Sequence, residues 1–136
     1  MLKIASHIKE DMIAHARADF PLECCGILCG NDHEASHMYK MKNTDKSRTS
    51  YFMDPQEQMR VFKEMRVKGV EMQAIYHSHP NYPAYPSRTD VNLAYYPDVE
   101  YIIISIDNNK ETIIRGFRIV DEQISETELV FISPYG

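Results

Sequence analysis

The spacing of apolar residues predicts two amphipathic helices in the first half of the chain. Apolar side chains recur at helical spacing between Ser6, a candidate N-cap, and Pro21, where a helix must stop. Asp54 followed by Pro55 marks the start of a second helix, which the pattern carries on to Gly69. A third, shorter helix is predicted over residues 87–96.

Between and after these helices, short apolar or alternating segments bounded by turn residues predict strands. In chain order these segments are CCGILCG, ASHMYKM, SYFM, MQAIYHSH, YIIISID, TIIRGFRIV and SETELVFI. The first two are expected to pair as an antiparallel hairpin. MQAIYHSH alternates, so His77 and His79 should project from one face of their strand. The following PNYPAYP contains three prolines in seven residues and predicts a stiff loop.

Composition places the chain among ordinary globular proteins of one domain. It has 136 residues, 43 % apolar and 26 % charged, which is enough for one buried core and argues against disorder. The 20 acidic and 15 basic residues are scattered and give a net charge of −5, so nucleic acid is not the expected partner. No apolar run approaches the roughly 20 residues of a spanning helix. We therefore expect a cytoplasmic protein that does not enter a membrane.

Three cysteines, Cys24, Cys25 and Cys29, lie in one segment. An odd count so closely spaced is a poor disulfide framework and favours a reducing compartment. The spacing forms no C-x-x-C motif, so we expect them to act as small buried apolar residues. The four histidines outside the H-x-H pair have no usable partner spacing and are predicted at the surface: His7, His15, His33 and His37.

Two histidines side by side on a strand suit a single tetrahedral metal ion, and Asp90 lies eleven residues after His79, beyond the proline loop. Each feature also has a simpler explanation. An isolated H-x-H is more often solvated than metal-bound. Ser87 and Asp90 have the S-x-x-D spacing of a capping box, and Glu23 before a strand would be unremarkable if exposed.

Taken together, these positions form a family motif. HSHPNYPAYPSRTD follows the pattern H-x-H-x7-S-x2-D and resembles the JAMM motif of MPN-domain metallopeptidases, while FPLECCGILCG resembles the upstream glutamate segment of that family. The resemblance runs along nearly the whole chain. It implies one MPN-like domain over residues 1–136, of the α/β (α+β) class. The expected architecture is a mixed, mostly antiparallel sheet flanked by helices, with cytidine-deaminase-like layering.

The resemblance also implies roles for individual residues. His77, His79 and Asp90 would bind one Zn²⁺, Glu23 would act as general acid and base, and Ser87 would donate a hydrogen bond to the oxyanion. As an N-cap alone, Ser87 would contribute only stability, and we expect the catalytic role. Its substitution should therefore reduce turnover strongly and stability little.

The short chain is similar to the prokaryotic branch that acts on ubiquitin-like sulfur-carrier proteins. The implied reaction is hydrolysis after a C-terminal Gly-Gly, with the tail pairing as an added strand at a sheet edge. Tyr82 and Tyr85 of the proline loop either contact this substrate or shield the loop from water. A non-catalytic zinc module that binds a ubiquitin-like partner and a RadC-like protein associated with DNA repair are the alternatives. The terminal strands leave a homodimer open.

Overall fold

Alternating strands and amphipathic helices assemble into a sheet with helices on both faces. The computed structural model describes residues 1–133. Its elements in chain order are β1 (Leu2–Ala5), α1 (Ser6–Asp19), β2 (Cys25–Asn31), β3 (Glu34–Met41), α2 (Pro55–Lys68), β4 (Glu71–Pro80), α3 (Arg88–Asn92), β5 (Glu100–Ile106), β6 (Thr112–Val120), β7 (Gln123–Thr127) and β8 (Leu129–Ile132). The eight strands lie in the order β7-β6-β5-β4-β2-β3-β1-β8.

The sheet is mixed, as predicted. The pairs β2–β3, β2–β4, β5–β6 and β6–β7 are antiparallel, whereas β1–β3, β1–β8 and β4–β5 are parallel. The predicted hairpin of β2 and β3 is confirmed. The start of α2 is also confirmed, because the Asp54 side chain accepts a hydrogen bond from the Glu57 N–H, and the helix ends at Gly69 in the left-handed conformation.

Each face of the sheet carries its own apolar core. Ile8 of α1 packs in the same core as Tyr76, whereas Met65 of α2 packs in the core that contains Ile75. Successive residues of β4 point to opposite faces, so His77 lies on the α2 face together with Ile75. The strand that carries the histidine pair is therefore clamped between two cores.

The N-terminal strand was not predicted, and the predicted cap of α1 is wrong. Leu2 and Ile4 are buried in β1, which runs directly into the helix. Ala5 occupies the N-cap position, and Ser6 is the first helical residue. The Ser6 hydroxyl instead donates to the Ile132 carbonyl at 2.7 Å, which ties the helix to β8. With four residues, β1 is too short for an alternation of apolar and polar positions to be recognised in the sequence.

Two other strand predictions need correction. SYFM forms no strand, only one bridge between Met53 and Asn43, because the Asn43 side chain accepts the Phe52 N–H and satisfies the backbone there. SETELVFI is two strands that separate at Glu128. β7 pairs with β6, while β8 crosses to the opposite edge and pairs in parallel with β1. The alternation of apolar and polar residues does not show with which neighbouring strand each half of the segment pairs.

The third helix is shorter than predicted, since α3 ends at Asn92 rather than near residue 96. Tyr96 precedes a proline, which disfavours helical backbone at that position. Its N–H donates to the Tyr101 hydroxyl at 3.1 Å instead of continuing the helix. Within the described part of the chain, no helix is long and apolar enough to cross a membrane.

Candidate metal centre

Two imidazoles and one carboxylate converge at the end of β4. His77 Nε2 and His79 Nε2 lie 2.9 Å apart, and the Asp90 Oδ2 atom is 3.2 Å from the first and 3.0 Å from the second. All three side chains are buried. Ligands of a tetrahedral zinc with bonds of about 2.0 Å are separated by about 3.3 Å, so the three atoms are spaced closely enough to share one ion.

The hydrogen bond behind His79 shows that this donor set suits a cation. His79 Nδ1 lies 2.7 Å from the Pro83 carbonyl, which can only accept, so the ring proton is on Nδ1. In the neutral ring, Nε2 then presents a lone pair toward the negatively charged oxygen of Asp90. Two acceptors at 3.0 Å repel each other unless a positive charge lies between them. A bound metal ion would supply that charge, and the carbonyl behind the ring is the usual support for a metal-binding histidine.

His77 is supported less completely. Its Nδ1 atom is buried and has no hydrogen-bond partner among residues 1–133. Its ring stacks on Tyr51 with centroids 4.6 Å apart. Burial lowers the pKa of His77, although Asp90 opposes this effect, so the ring is held in the neutral form that binds metals.

Asp90 takes part both in the capping box and in the candidate metal site, the two roles that the sequence left open. Ser87 and Asp90 form a complete capping box at the start of α3, as the spacing predicts. The Asp90 oxygen that accepts the Ser87 N–H, Oδ2, is also the oxygen that faces both histidines. Burial raises the pKa of Asp90, but the close contacts with His77 and His79, together with the Ser87 N–H, outweigh it and hold the pKa well below its usual range. The cap thus orients a carboxylate that is already ionised.

Glu23 lies in the segment just before β2 with its side chain buried. Its backbone is fixed on both sides, since the Glu23 N–H donates to the Ser47 carbonyl at 2.8 Å and its carbonyl accepts from Asn43 Nδ2 at 3.0 Å. Burial raises the pKa of Glu23 to about 8, Tyr82 opposes the rise through a hydrogen bond, and the negative charge of Asp90 adds to it. A cation held by Asp90 would favour the ionised form again.

The two carboxylate oxygens of Glu23 differ in their surroundings. Oε2 accepts a hydrogen bond from the Tyr82 hydroxyl. Oε1 is buried and finds no partner within the described chain. Leaving a buried carboxylate oxygen unsatisfied is costly, so such an atom suggests a functional role rather than a structural one.

Aromatic rings flank the histidine pair. Tyr82 stacks on His79 with centroids 3.9 Å apart, and Tyr51 stacks on His77. Tyr85 packs edge-on against Phe117 instead and covers that buried ring. Of the two loop tyrosines, Tyr82 therefore lies beside the histidine pair, whereas Tyr85 packs on Phe117; contact of either with substrate stays a prediction.

The three cysteines are buried and free, as expected for apolar residues. Burial raises the pKa of Cys24 to about 12, so its thiol is protonated and inert at neutral pH. The prediction that His15 lies at the surface is wrong. It lies on the buried face of α1, and its Nδ1 is 2.7 Å from the Tyr76 hydroxyl.

The structure brings His77, His79, Asp90, Glu23 and Ser87 into one region, and it adds neighbours that the sequence did not reveal. Tyr51 belongs to a segment predicted as an ordinary strand, and nothing in its spacing indicates that its ring would stack on His77. The Pro83 carbonyl is a backbone group and has no sequence signal. Both depend on long-range folding of the loops around β4.

β4, which carries the two histidines, is an interior strand between β2 and β5, and the edges of the described sheet are β7 and β8. The expected pairing of the substrate tail with a sheet edge stays a prediction.

This fold, with a buried His-His-Asp group at the end of an interior strand and a buried glutamate nearby, defines a JAB-type domain. Residues 5–120 match the family described as prokaryotic homologs of the JAB domain, and the chain belongs to that family. The match stops short of both termini, and residues 134–136 lie outside the described residues. The extent of the domain over 1–136 therefore stays a prediction.

Relatives with assigned activities resemble the chain over most of its length. The CysO-cysteine peptidase of Mycobacterium tuberculosis is 38 % identical over 138 residues, which cover 99 % of this chain and 94 % of that protein. The probable TtuB-protein conjugate cleaving protease of Thermus thermophilus is 30 % identical, and the aligned region covers 90 % of this chain and 79 % of that protein. A solution structure from Desulfitobacterium hafniense superposes with a TM-score of 0.88 at 34 % identity, covering 98 % of this chain and 94 % of the other.

Proposed function

We propose that the protein is a zinc-dependent peptidase that hydrolyses the bond after the C-terminal Gly-Gly of a small ubiquitin-like sulfur-carrier protein. The observation that carries the proposal is the convergence of two buried imidazole nitrogens and an ionised carboxylate beside a buried glutamate. His77, His79 and Asp90 would hold the ion, and a fourth position would be open to water or substrate. Bound zinc lowers the pKa of its water from 15.7 to about 7 and polarises the scissile carbonyl.

The remaining steps belong to side chains of this protein. Glu23 Oε1, which is free of other partners among the described residues, takes the proton of the attacking water as the new C–O bond forms. Glu23 then returns that proton to the leaving nitrogen as the C–N bond breaks. Ser87 Oγ accepts the Asp90 N–H, and its own O–H remains free to donate to the oxyanion of the tetrahedral intermediate.

The surroundings of the site favour a glycine-rich substrate. Tyr51 and Tyr82 stand on either side of the histidine pair, each stacked on one imidazole ring. A chain that reaches the ligands between two aromatic rings must do so without bulky side chains, and glycine has no Cβ to obstruct it. The names of the two relatives, which refer to CysO-cysteine and to TtuB-protein conjugates, support a carrier-protein substrate.

Two alternatives from the sequence receive less support. A module that only binds its partner has no use for a buried carboxylate oxygen without a hydrogen bond, which would merely reduce its stability. For the RadC-like alternative, the similarity to a peptidase along 99 % of the chain favours peptide hydrolysis instead.

The test is incubation of the zinc-loaded protein with a carrier protein that ends in Gly-Gly followed by one cysteine, read by intact-mass spectrometry. A parallel reaction contains the same carrier joined through an isopeptide bond to a lysine side chain. Loss of the added group after Gly-Gly in either reaction supports the proposal, and the two rates identify the preferred bond. An intact substrate in both reactions, with one zinc bound per chain, would contradict it.

A further inference from the structure

Ser78, the residue between the two histidines, has no place in the metal centre. Alternation along β4 directs its side chain to the face opposite the imidazoles. The side chain is 0 % exposed. A fully buried hydroxyl on a central strand needs a partner, and the identity of that partner indicates its role.

The hydroxyl and the N–H of Ser78 both bind the same residue of the glutamate segment. Ser78 Oγ accepts a hydrogen bond from the Cys24 N–H at 2.8 Å, and the Ser78 N–H donates to the Cys24 carbonyl at 3.1 Å. Cys24 directly follows Glu23. The next residue, Cys25, is the first residue of β2 and pairs with His77.

We propose that Ser78 is a positioning residue that fixes Glu23 relative to the metal ligands, an inference that rests on the proposed function. The hydrogen bonds to the backbone of Glu23 itself come from the loop after β3, through Asn43 and Ser47. The bonds from Ser78 come from the strand that carries His77 and His79. They therefore relate the glutamate segment to the strand of the ligands through Cys24, independently of the bonds from that loop.

Loss of the hydroxyl leaves the buried Cys24 N–H without an acceptor and allows the glutamate segment to shift. A displacement of about 1 Å in a catalytic group can cost about 100-fold in rate. We therefore expect Ser78→Ala to lower kcat by about 10- to 100-fold with KM within about twofold of wild type. The metal affinity should change little, because the imidazoles project from the other face of the strand.

The experiment compares Ser78→Ala, Ser78→Thr and Ser6→Ala with wild type in the zinc-loaded protein. Threonine keeps the hydroxyl and should retain more turnover than alanine. Ser6→Ala removes a hydroxyl that also bonds a backbone group, the Ile132 carbonyl, but at the far edge of the sheet, so its kcat should match wild type. Amide hydrogen exchange at Cys24, which does not depend on activity, should be faster in Ser78→Ala alone. Zinc stoichiometry and circular dichroism confirm that each variant is folded.

Wild-type kcat in a folded Ser78→Ala protein would overturn this inference while leaving the proposed function intact. A threonine variant no better than alanine, or a rise in KM in place of the fall in kcat, would also overturn it. Wild-type protein that cleaves no carrier substrate would overturn the proposed function, and this inference with it.

Discussion

Ser87 and Asp90 bind each other twice, because the Ser87 N–H donates to Asp90 Oδ2 at 2.9 Å and the Asp90 N–H donates to Ser87 Oγ at 3.1 Å. The capping box uses the serine oxygen as an acceptor and leaves its O–H group as a donor. The cap and the proposed oxyanion contact therefore do not exclude each other, and one hydroxyl can serve both.

Substitutions at Ser87 can separate these two roles. Ser87→Ala should cost about 1 kcal/mol of stability through the lost cap and about 100-fold or more in kcat through the lost donor. Glycine is nearly as good an N-cap, so Ser87→Gly should cost only a few tenths of a kcal/mol but the same loss of kcat. Urea unfolding and carrier cleavage measure the two quantities. A glycine variant that keeps wild-type turnover would show that the serine is only a cap.

Asp90→Asn should remove metal binding while preserving α3. The amide oxygen of asparagine can still accept the Ser87 N–H, but it carries no charge for the cation. Since loss of an outer support alone costs 10- to 100-fold in metal affinity, loss of a charged ligand should cost at least about 100-fold. Competition titration with a zinc chelator measures the affinity, and the helical circular dichroism signal should stay near wild type. Unchanged zinc affinity would exclude Asp90 from the ligand set.

Tyr82→Phe should reveal what the loop hydroxyl contributes to Glu23. The variant keeps the ring that stacks on His79 but removes the hydrogen bond to Glu23 Oε2. We expect kcat to fall by about 10- to 150-fold, which corresponds to the loss of one hydrogen bond to a charged group. Zinc affinity should be unchanged. Steady-state kinetics with Tyr85→Phe as the matched control checks this, and equal kcat for the two variants would contradict it.

The stability of the metal-free protein should depend on pH through Glu23. Burial raises the pKa of Glu23 to about 8, whereas an unfolded glutamate titrates near 4.3. The folded state then binds the proton more tightly, so this carboxyl destabilises the fold progressively as pH rises from about 5 to about 8. Glu23→Gln should be more stable than wild type near pH 8 and similar near pH 5. Urea unfolding of both proteins in chelator tests this, and a pH-independent difference would contradict it.

The sequence anticipated the grouping of His77, His79 and Asp90 because the patterns that carry it are local. The spacing of His77 and His79 on one strand fixes a common face, and the capping pattern of Ser87 and Asp90 fixes the start of a helix. These features depend on neighbouring residues, and the structure retains all of them. The resemblance to a known motif supplied Glu23, which no local pattern links to the histidines.

The parts that were wrong or missing depend on long-range contacts. The chain from Ser125 to Ile132 reads as one alternating strand, yet its second half crosses to the opposite edge beside β1. Neither that crossing nor the burial of His15 against Tyr76 leaves a periodic signal. The bonds from Ser78 to Cys24 join residues 54 positions apart, which only the folded β2–β4 pair brings together.

The most direct test of the account is the zinc content and carrier cleavage of wild type and Glu23→Gln, measured on the same samples. We expect one zinc per chain in both proteins, cleavage after Gly-Gly by wild type only when zinc is present, and a loss of about 100- to 10,000-fold in kcat for Glu23→Gln. Turnover by Glu23→Gln at the wild-type rate, or full wild-type activity after zinc removal, would contradict the central claim.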